Sequence, residues 1–386
     1  MPFSDTSDTT LAYKVETTFD TMPSASGWKY LRMTGESLNT SIESATSEEI
    51  DPTRQVTDSV HVSGQSAGDI NLQLSYNEYN AFLESALQSS GFSSSVSTAT
   101  SAASASGFTV SSGTDIVAGS ALEDGNGNVF FVKSISGTSV STVENASGAT
   151  GSAVHTGYIA NGTSQNSYSF EKKFESDGTA HYFTMSGMTV DSMNLSLSSG
   201  AILNGSFSFQ GASGAASGSS SAGTPTASTT NELMNSVNNV TGPNIYSINT
   251  TDGSLTAISA TFQEFSLTAS NNLRPQAAVG SLYPVGIGAG RINVEMSATI
   301  YFSDRSLYDV FIANGWCYLT IVLTDADGNR IAVAVPGAKI ATHEVVATGP
   351  DADVLANITF QGIKDTVSND GSSGSNSTIV ITKIDA

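Results

Sequence analysis

The residues best equipped for chemistry in this chain are four histidines, one cysteine and two short acidic runs, and their spacing argues against using them for it. His61, His155, His181 and His343 stand far apart, with no pair at metal-ligand spacing and no local partners that would make a catalytic triad. Cys317 is the single cysteine, so no disulfide can form within the chain, and its apolar setting "WCYLTIVL" (316–323) reads as a buried strand. "TDADGNR" (324–330) has the look of an acidic calcium loop. Its Gly328, however, is the fourth residue from Asp325 rather than the sixth, and no Glu follows at the twelfth. A hairpin turn between "YLTIVL" and "RIAVAV" is expected there, and another at "EDGNGN" (123–128). The glycines of "GIGAGRIN" (286–293) lead into a strand, so no helix N-terminus awaits a phosphate. Adjacent carboxylates such as Glu48 and Glu49 could serve a glycosidase, but any acidic protein offers such pairs. The expectation is a protein that is not an enzyme and that needs neither metal nor cofactor.

A chain of 386 residues exceeds what one core usually organises, so two domains are expected. The 39% hydrophobic content suffices for real cores, whereas the 13% of charged residues is low, with Ser, Thr, Gly, Ala and Asn in their place. Such a surface suits a protein whose faces are covered by other subunits. The charge is one-sided, with 35 acidic and 14 basic residues, and Lys172-Lys173 is the only adjacent basic pair. Gripping a nucleic-acid backbone needs clustered cations, so it is not expected, while repelling one is compatible with this charge. The start "MPFSDTSDTT" has neither a basic nor an apolar signal region, and no apolar run approaches the ~18 residues of a membrane span. A soluble protein made in a cytoplasm, with no membrane insertion, is expected.

Few Pro, many Gly and abundant Ser and Thr favour β structure. Extended segments are expected over 11–38, and alternation predicts strands at "SLNTSIES" (37–44) and "GDINLQLS" (68–75), with the charged loop "SEEIDPTRQV" (47–56) before the second. Between 75 and 90 the period changes. Tyr79, Phe82, Leu83, Ala86 and Leu87 mark an amphipathic helix, with Ser75 and Glu78 as a capping box. Residues 91–166 read as an insert. It opens on the low-complexity "GFSSSVSTATSAASASGF", a flexible linker by composition, and contains a hairpin turning at Gly137. Alternation resumes at 167–174, turns at Asp177-Gly178, and runs through 181–211 as three strands separated by Gly187 and Gly200. "ASGAASGSSSAGTP" (212–225) reads as a linker and a domain boundary.

Three landmarks recur in order across that linker. "SLNTSI" (37–42) matches "SLTASN" (266–271), "SAGDINLQLS" (66–75) matches "GAGRINVEMS" (288–297), and "GSFSFQG" (205–211) matches "ANITFQG" (356–362). The offset is 222 positions at the second (288 − 66) and 151 at the third (356 − 205), so the second half lacks about 71 residues, close to the insert. A second helix is expected at "SDRSLYDVFIANG" (303–315), with Ser303 as N-cap, Leu307, Val310 and Phe311 on one face, and Gly315 as terminator. The domain organisation expected is a first module over 1–90 and 167–211, the insert 91–166, the linker 212–225, and a second module over 226–386. The fold class is mainly β: two β-sandwich or barrel modules, each with one flanking α-helix, plus a small inserted β unit. Two such modules in one chain can be two segments of a ring, and a trimer would then offer six quasi-equivalent positions.

The same residues carry a resemblance to the major tail tube proteins of long, flexible-tailed bacteriophages. It runs through "AYKVETTF…P…W…LRMTGESL", "ESATSEEIDPTRQVTDSV", "SAGDINLQLSYNEYNAFLESAL", "YSFEKKF…HYFTMSGMTVDSMNLSLSSGAILNGSFSFQG" and "FSLTASNNLRPQAAVG", most of the chain outside the insert and linker. It implies a β-sandwich tube module with a flanking helix, whose inner sheet joins its neighbours' into a β-barrel around a lumen. Rings stack into a tube through which double-stranded DNA passes without specific binding. The implied partners are further copies of the chain, a tape measure protein and tail terminator or tip proteins, and the location is the virion tail. Many relatives carry one module and form hexameric rings, so two modules suggest a trimer, with the insert outside. Under this resemblance Glu48, Glu49, Asp51 and Arg54 are candidates for ring-to-ring contacts, as are Asn272 and Arg274 in the second copy. Glu43, Asp69, Asp191 and Glu295 are candidates to face the lumen. An acidic wall would hold DNA off over a Debye length of about 8 Å. Two other readings stand beside it: a surface-exposed adhesin or carbohydrate-binding tail component, suggested by the Ser/Thr/Gly-rich insert, and a tube of a contractile or secretion system.

Overall fold

The computed structural model describes residues 3–238, 240–347, 349–366 and 375–386. The chain opens with β1 (Thr10–Val15), the short β2 (Lys29–Tyr30) and β3 (Gly35–Glu36), the hairpin β4 (Asn39–Thr46) and β5 (Ser59–Gln73), and helix α1 (Asn80–Ala86). Then β6 (Val96–Ser104), β7 (Gly107–Val110), β8 (Ala121–Glu123), β9 (Val129–Ser136), β10 (Ser139–Thr142) and β11 (Ser152–His155) close into a six-stranded barrel, followed by β12 (Gly157–Ala160). The half ends with β13 (Tyr168–Ser176), β14 (Thr179–Ser198), β15 (Asn204–Gln210) and β16 (Gly214–Ser217). Next come β17 (Thr241–Ile248), β18 (Leu255–Ile258), β19 (Thr261–Ser270), the small hairpin β20 (Arg274–Gln276) and β21 (Gly286–Gly288), and β22 (Asn293–Tyr301). Helix α2 (Ser306–Ile312), β23 (Trp316–Thr324), β24 (Arg330–Val346), β25 (Leu355–Gly362) and β26 (Val380–Ile384) complete the chain.

The strands pair in the same order twice. One sheet runs β4-β5-β15-β14 in the first half and β19-β22-β25-β24 in the second. The other runs β1-β13-β14-β16 and β17-β23-β24-β26. The long strands β14 and β24 each belong to both sheets of their half. Irregularities agree as well: Asp191 is skipped in the β14–β15 ladder between Val190↔Phe209 and Ser192↔Ser208, and Ala341 is skipped in the β24–β25 ladder between Ile340↔Phe360 and Thr342↔Thr359. A bulge at the same place in two ladders bends both strands alike.

One core runs between the sheets and through both halves, from Leu11 to Ile381, where alternate side chains of facing strands meet. In the first half Phe82 of α1 sits at the centre, its ring 4.8 Å from that of Tyr13, 5.3 Å from Tyr168 and 5.4 Å from Phe209. The expected apolar stripe of this helix is buried throughout, from Tyr79 to Leu87. Its expected capping box does not form. Glu78 instead accepts the Arg32 N–H at 3.1 Å and the Thr229 N–H at 2.7 Å, a tertiary demand that outweighs the local one. In α2 the first-turn N–H of Ser306 is taken by Asp304 at 2.7 Å rather than by Ser303, and the helix ends on Asn314 at φ +50° rather than on Gly315.

Three low-complexity or glycine signals mean something different from what composition implies. Val96–Ser104 is no flexible linker but a strand of the inserted barrel, whose core holds Phe108, Leu122, Phe130 and Val132. Gly187 does not end a strand: β14 passes through it at φ +69°, and a Cβ there would meet that of Ala212 at 2.9 Å. The stretch 212–225 does not run free either. It supplies β16, and its Ser220 hydroxyl and Ala222 N–H donate to the buried Glu171 carboxylate, at 2.6 and 3.1 Å. The hairpin turns expected at 324–330 and 123–128 are present, and in each an Asp (Asp325, Asp124) accepts the backbone N–H groups two and four residues on.

The inserted barrel packs on the outer face of the second half, where Ala121 and Phe131 meet Tyr318, Val322, Ala332 and Ala334. Arg330 pairs with Glu123 at this seam. Nearby Glu144 accepts the Phe131 N–H at 2.8 Å, and burial pushes its carboxyl up to about 7.

Candidate assembly surface

The two four-stranded sheets are one surface. Residues Ser192–Ser198 of β14 pair with Glu264–Ser270 of β19, so eight strands run without a break from β4 to β24. On this sheet one face is core. Ile70, Leu72, Phe207, Met193, Leu195, Leu267, Met296, Ile300 and Phe360 are all buried. The alternate positions make the other face, which reads Asn71 and Gln73 on β5, Ser206 and Ser208 on β15, Asn194 and Ser196 on β14, Ser266 and Thr268 on β19, Ser297 and Thr299 on β22. It is uncharged polar with scattered carboxylates.

Of the acidic residues singled out from sequence, Glu43, Asp69 and Glu295 lie at positions of this polar face, as do Glu264 and Glu344, which sequence reasoning missed. Ser63 donates to Glu43 at 2.8 Å, and Ser208 to Asp69 at 2.5 Å. Asp191 has another use. As the bulged residue of β14, it turns its carboxylate to the Leu273 N–H at 2.8 Å and the Gln210 side-chain amide at 3.1 Å, fastening the exit of β19 to the first half. Lys339 is the one Lys or Arg on these eight strand segments among the described residues, and its ammonium stands 5.3 Å from the Trp316 ring centre. The face therefore presents negative charge and no clustered cation.

Both ends of this sheet are open edges. β4 bonds only to β5, and the segment Lys339–Val346 of β24 only to β25, among the described residues. Unpaired strand edges of this length invite another chain.

Two loops cap one end of the sheet. The loop between β4 and β5 holds Glu48, Glu49, Asp51 and Arg54 together. Asp51 accepts the Thr53 N–H at 2.5 Å, which with the Thr53 hydroxyl holds its carboxyl below the usual range. Arg54 takes φ +62° with its N–H on the Asp51 carbonyl at 3.0 Å, and Thr57 donates to Glu49 at 3.1 Å. Ile50 at the tip is 99% exposed. The loop between β19 and β22 holds Asn272, which donates to the Arg291 carbonyl at 2.8 Å, and Arg274, which donates to that of Ala289 at 3.4 Å. It folds back on the first hairpin, its Leu282 carbonyl accepting the Gly64 N–H at 2.8 Å.

No group of three His, Cys, Asp or Glu is placed to hold a metal among the described residues. Cys317 is fully buried, its thiol pushed up to about 12 by desolvation. Trp28 is fully buried, and the partly buried Trp316 lies under Lys339. No helix among the described residues is long and apolar enough to cross a membrane.

Compared with known protein families, residues 6–362 match the family described as phage tail tube protein. No curated protein matches the chain.

Proposed function

As the chain belongs to the phage tail tube family, it is a structural component of the virion tail, and we propose that it polymerises through its two open strand edges into stacked rings of three copies. The observation that carries this reading is the β14–β19 ladder. Inside one chain, the last strand of the first four-stranded sheet pairs with the first strand of the second. The counterparts of those two strands, β24 and β4, are the edges left open. A second copy whose β4 lies along β24 repeats the internal junction, and three copies close a barrel of twenty-four strands. At ~4.8 Å between strands and ~40° of tilt such a barrel is about 50 Å across between backbones, wide enough for a duplex. Six copies would double that width and leave the duplex unguided.

The two halves are read as duplicated modules, with the barrel of residues 96–155 as a decoration on the outside of the second. Carrying the strand pairs across supports this. Phe209 faces Gly68 where Phe360 faces Met296, an offset of 228 (296 − 68) at β5 and 151 at β15. The difference of 77 residues is close to the 76 of the insert 91–166. The sequence alignment of "SAGDINLQLS" with "GAGRINVEMS" is thus six residues out of register, a slip that alternation conceals because six is even.

In this reading the polar face lines the lumen, where Glu43, Asp69, Glu264, Glu295 and Glu344 keep double-stranded DNA off the wall during genome ejection. A cationic wall would bind the backbone by counterion release and stall it. The loops carrying Glu48, Glu49, Asp51 and Arg54, and Asn272 and Arg274, meet the next ring. A tape measure protein within the lumen and terminator or tip proteins at the ends are the partners of a long, flexible, non-contractile tail. Light scattering on the smallest assembled species tests the reading: three chain masses support it, while a species that stays monomeric at every concentration, with no tubes in electron micrographs, defeats it.

A further inference from the structure

Helices α1 and α2 hold the same place in their halves but differ in cover. The second half closes around α1 and the turn before it: Asn271 donates to the Ala86 carbonyl at 3.1 Å, Lys383 to the Asn77 side chain at 2.9 Å, and the Tyr76 hydroxyl to Asp385 at 2.5 Å. The first helix thus lies in a slot between the end of β19 and strand β26. Around α2 the surface is open, with Tyr308 46% and Ile312 65% exposed, and Leu307 is its one buried residue.

A matching slot lies elsewhere on the molecule. Leu38 and Leu267 hold equivalent places beside β5 and β22, so Ile42 stands where Asn271 stands, and β16 stands where β26 stands. Between β4 and β16 is a cavity of about 480 Å³ lined by Leu38, Ile42, Phe183 and Met185, with Tyr283 and with Lys172, whose ammonium pairs with Glu36 at 3.1 Å, also at its wall. Ile42 and Phe183 are each 43% exposed, an apolar cost that a monomer leaves uncovered.

We propose that α2 of one copy seats in the β4–β16 slot of a second copy, as α1 seats in the β19–β26 slot of its own chain. The inference rests on the ring reading above and names its contact. The chemistry differs between the two seats in a consistent way. Within the chain the slot offers Asn271 to the Ala86 carbonyl at the end of α1, and Lys383 to Asn77 in the turn before the helix. Between copies it offers Ile42 and Ala216 to Tyr308 and Ile312.

The test places the photoreactive residue p-benzoylphenylalanine at Ile312, and separately at Tyr308, in full-length protein mixed from isotopically light and heavy copies. After assembly and irradiation, light–heavy cross-links to residues of β4, β16 or Phe183 are expected. Rings that form normally but cross-link elsewhere overturn this seat and leave the ring reading intact, whereas wild-type protein that forms no rings removes both. A companion variant, Ile312→Lys, is expected to raise the concentration needed for ring formation by about tenfold or more at unchanged monomer melting temperature. An unchanged assembly threshold would contradict the proposal.

Discussion

Asp191 and Leu273 join the two halves: the carboxylate bulging from β14 accepts the Leu273 N–H at 2.8 Å, just beyond the end of β19. In the second half the bulged residue is Ala341, which has no such acceptor. The internal junction therefore carries a charge-assisted bond that its counterpart at the open edge lacks. Replacing Asp191 by Ala is expected to cost about 2 kcal/mol of unfolding free energy, since a bond to a charged group is lost and a part-buried N–H is stranded. Urea denaturation of the monomer reads this directly.

Glu144 gives the seam between inserted barrel and second half a pH dependence. Its carboxyl is raised from 4.5 to about 7 by burial, so the folded protein holds the proton more tightly than the unfolded chain. Its contribution is fully present below about 4.5 and is lost as pH rises through about 7. Thermal unfolding across this window, compared between wild type and Glu144→Gln, should show the wild type losing stability relative to the variant as pH rises. Parallel curves would remove Glu144 from the account.

The lumen reading predicts that Glu295→Lys, on the polar face, leaves folding and tube assembly intact but slows DNA release from virions. The defect should shrink as salt rises, because the new cation holds phosphate by counterion release. Normal release kinetics at low salt would place this face away from the DNA.

For the loop between β4 and β5, the doubly substituted Glu48→Lys, Glu49→Lys protein should fold and form rings yet give short tubes. Both side chains are exposed, so folding has little stake in them. Tube length distributions in electron micrographs provide the measurement, and unchanged lengths would assign stacking to other residues.

Much of this architecture is legible in the sequence because strand alternation and the helical stripe of Tyr79, Phe82, Leu83 and Ala86 are direct imprints of burial. The matching ends at Phe209-Gln210 and Phe360-Gln361 are equally plain. What escaped is governed by partners distant in the chain. Strand β6 is written in Ser, Ala and Thr, because small residues suffice along a barrel wall, so composition alone reads it as a linker. Gly187 punctuates a strand that only the second sheet keeps continuous. Glu78 leaves its local cap for the N–H groups of Arg32 and Thr229. Among the candidate residues, the positions of Glu43, Asp69 and Glu295 follow from alternation, whereas Asp191 sits on a bulge, where alternation no longer says which way a side chain turns.

End-on averaging of assembled tubes by electron cryomicroscopy tests most directly whether the two halves of one chain act as neighbours in a ring. The account predicts an inner wall of twenty-four strands with threefold symmetry, the three inserted barrels standing outside alternate sixths of the ring. Six chains per ring, with six barrels around the wall, would contradict it.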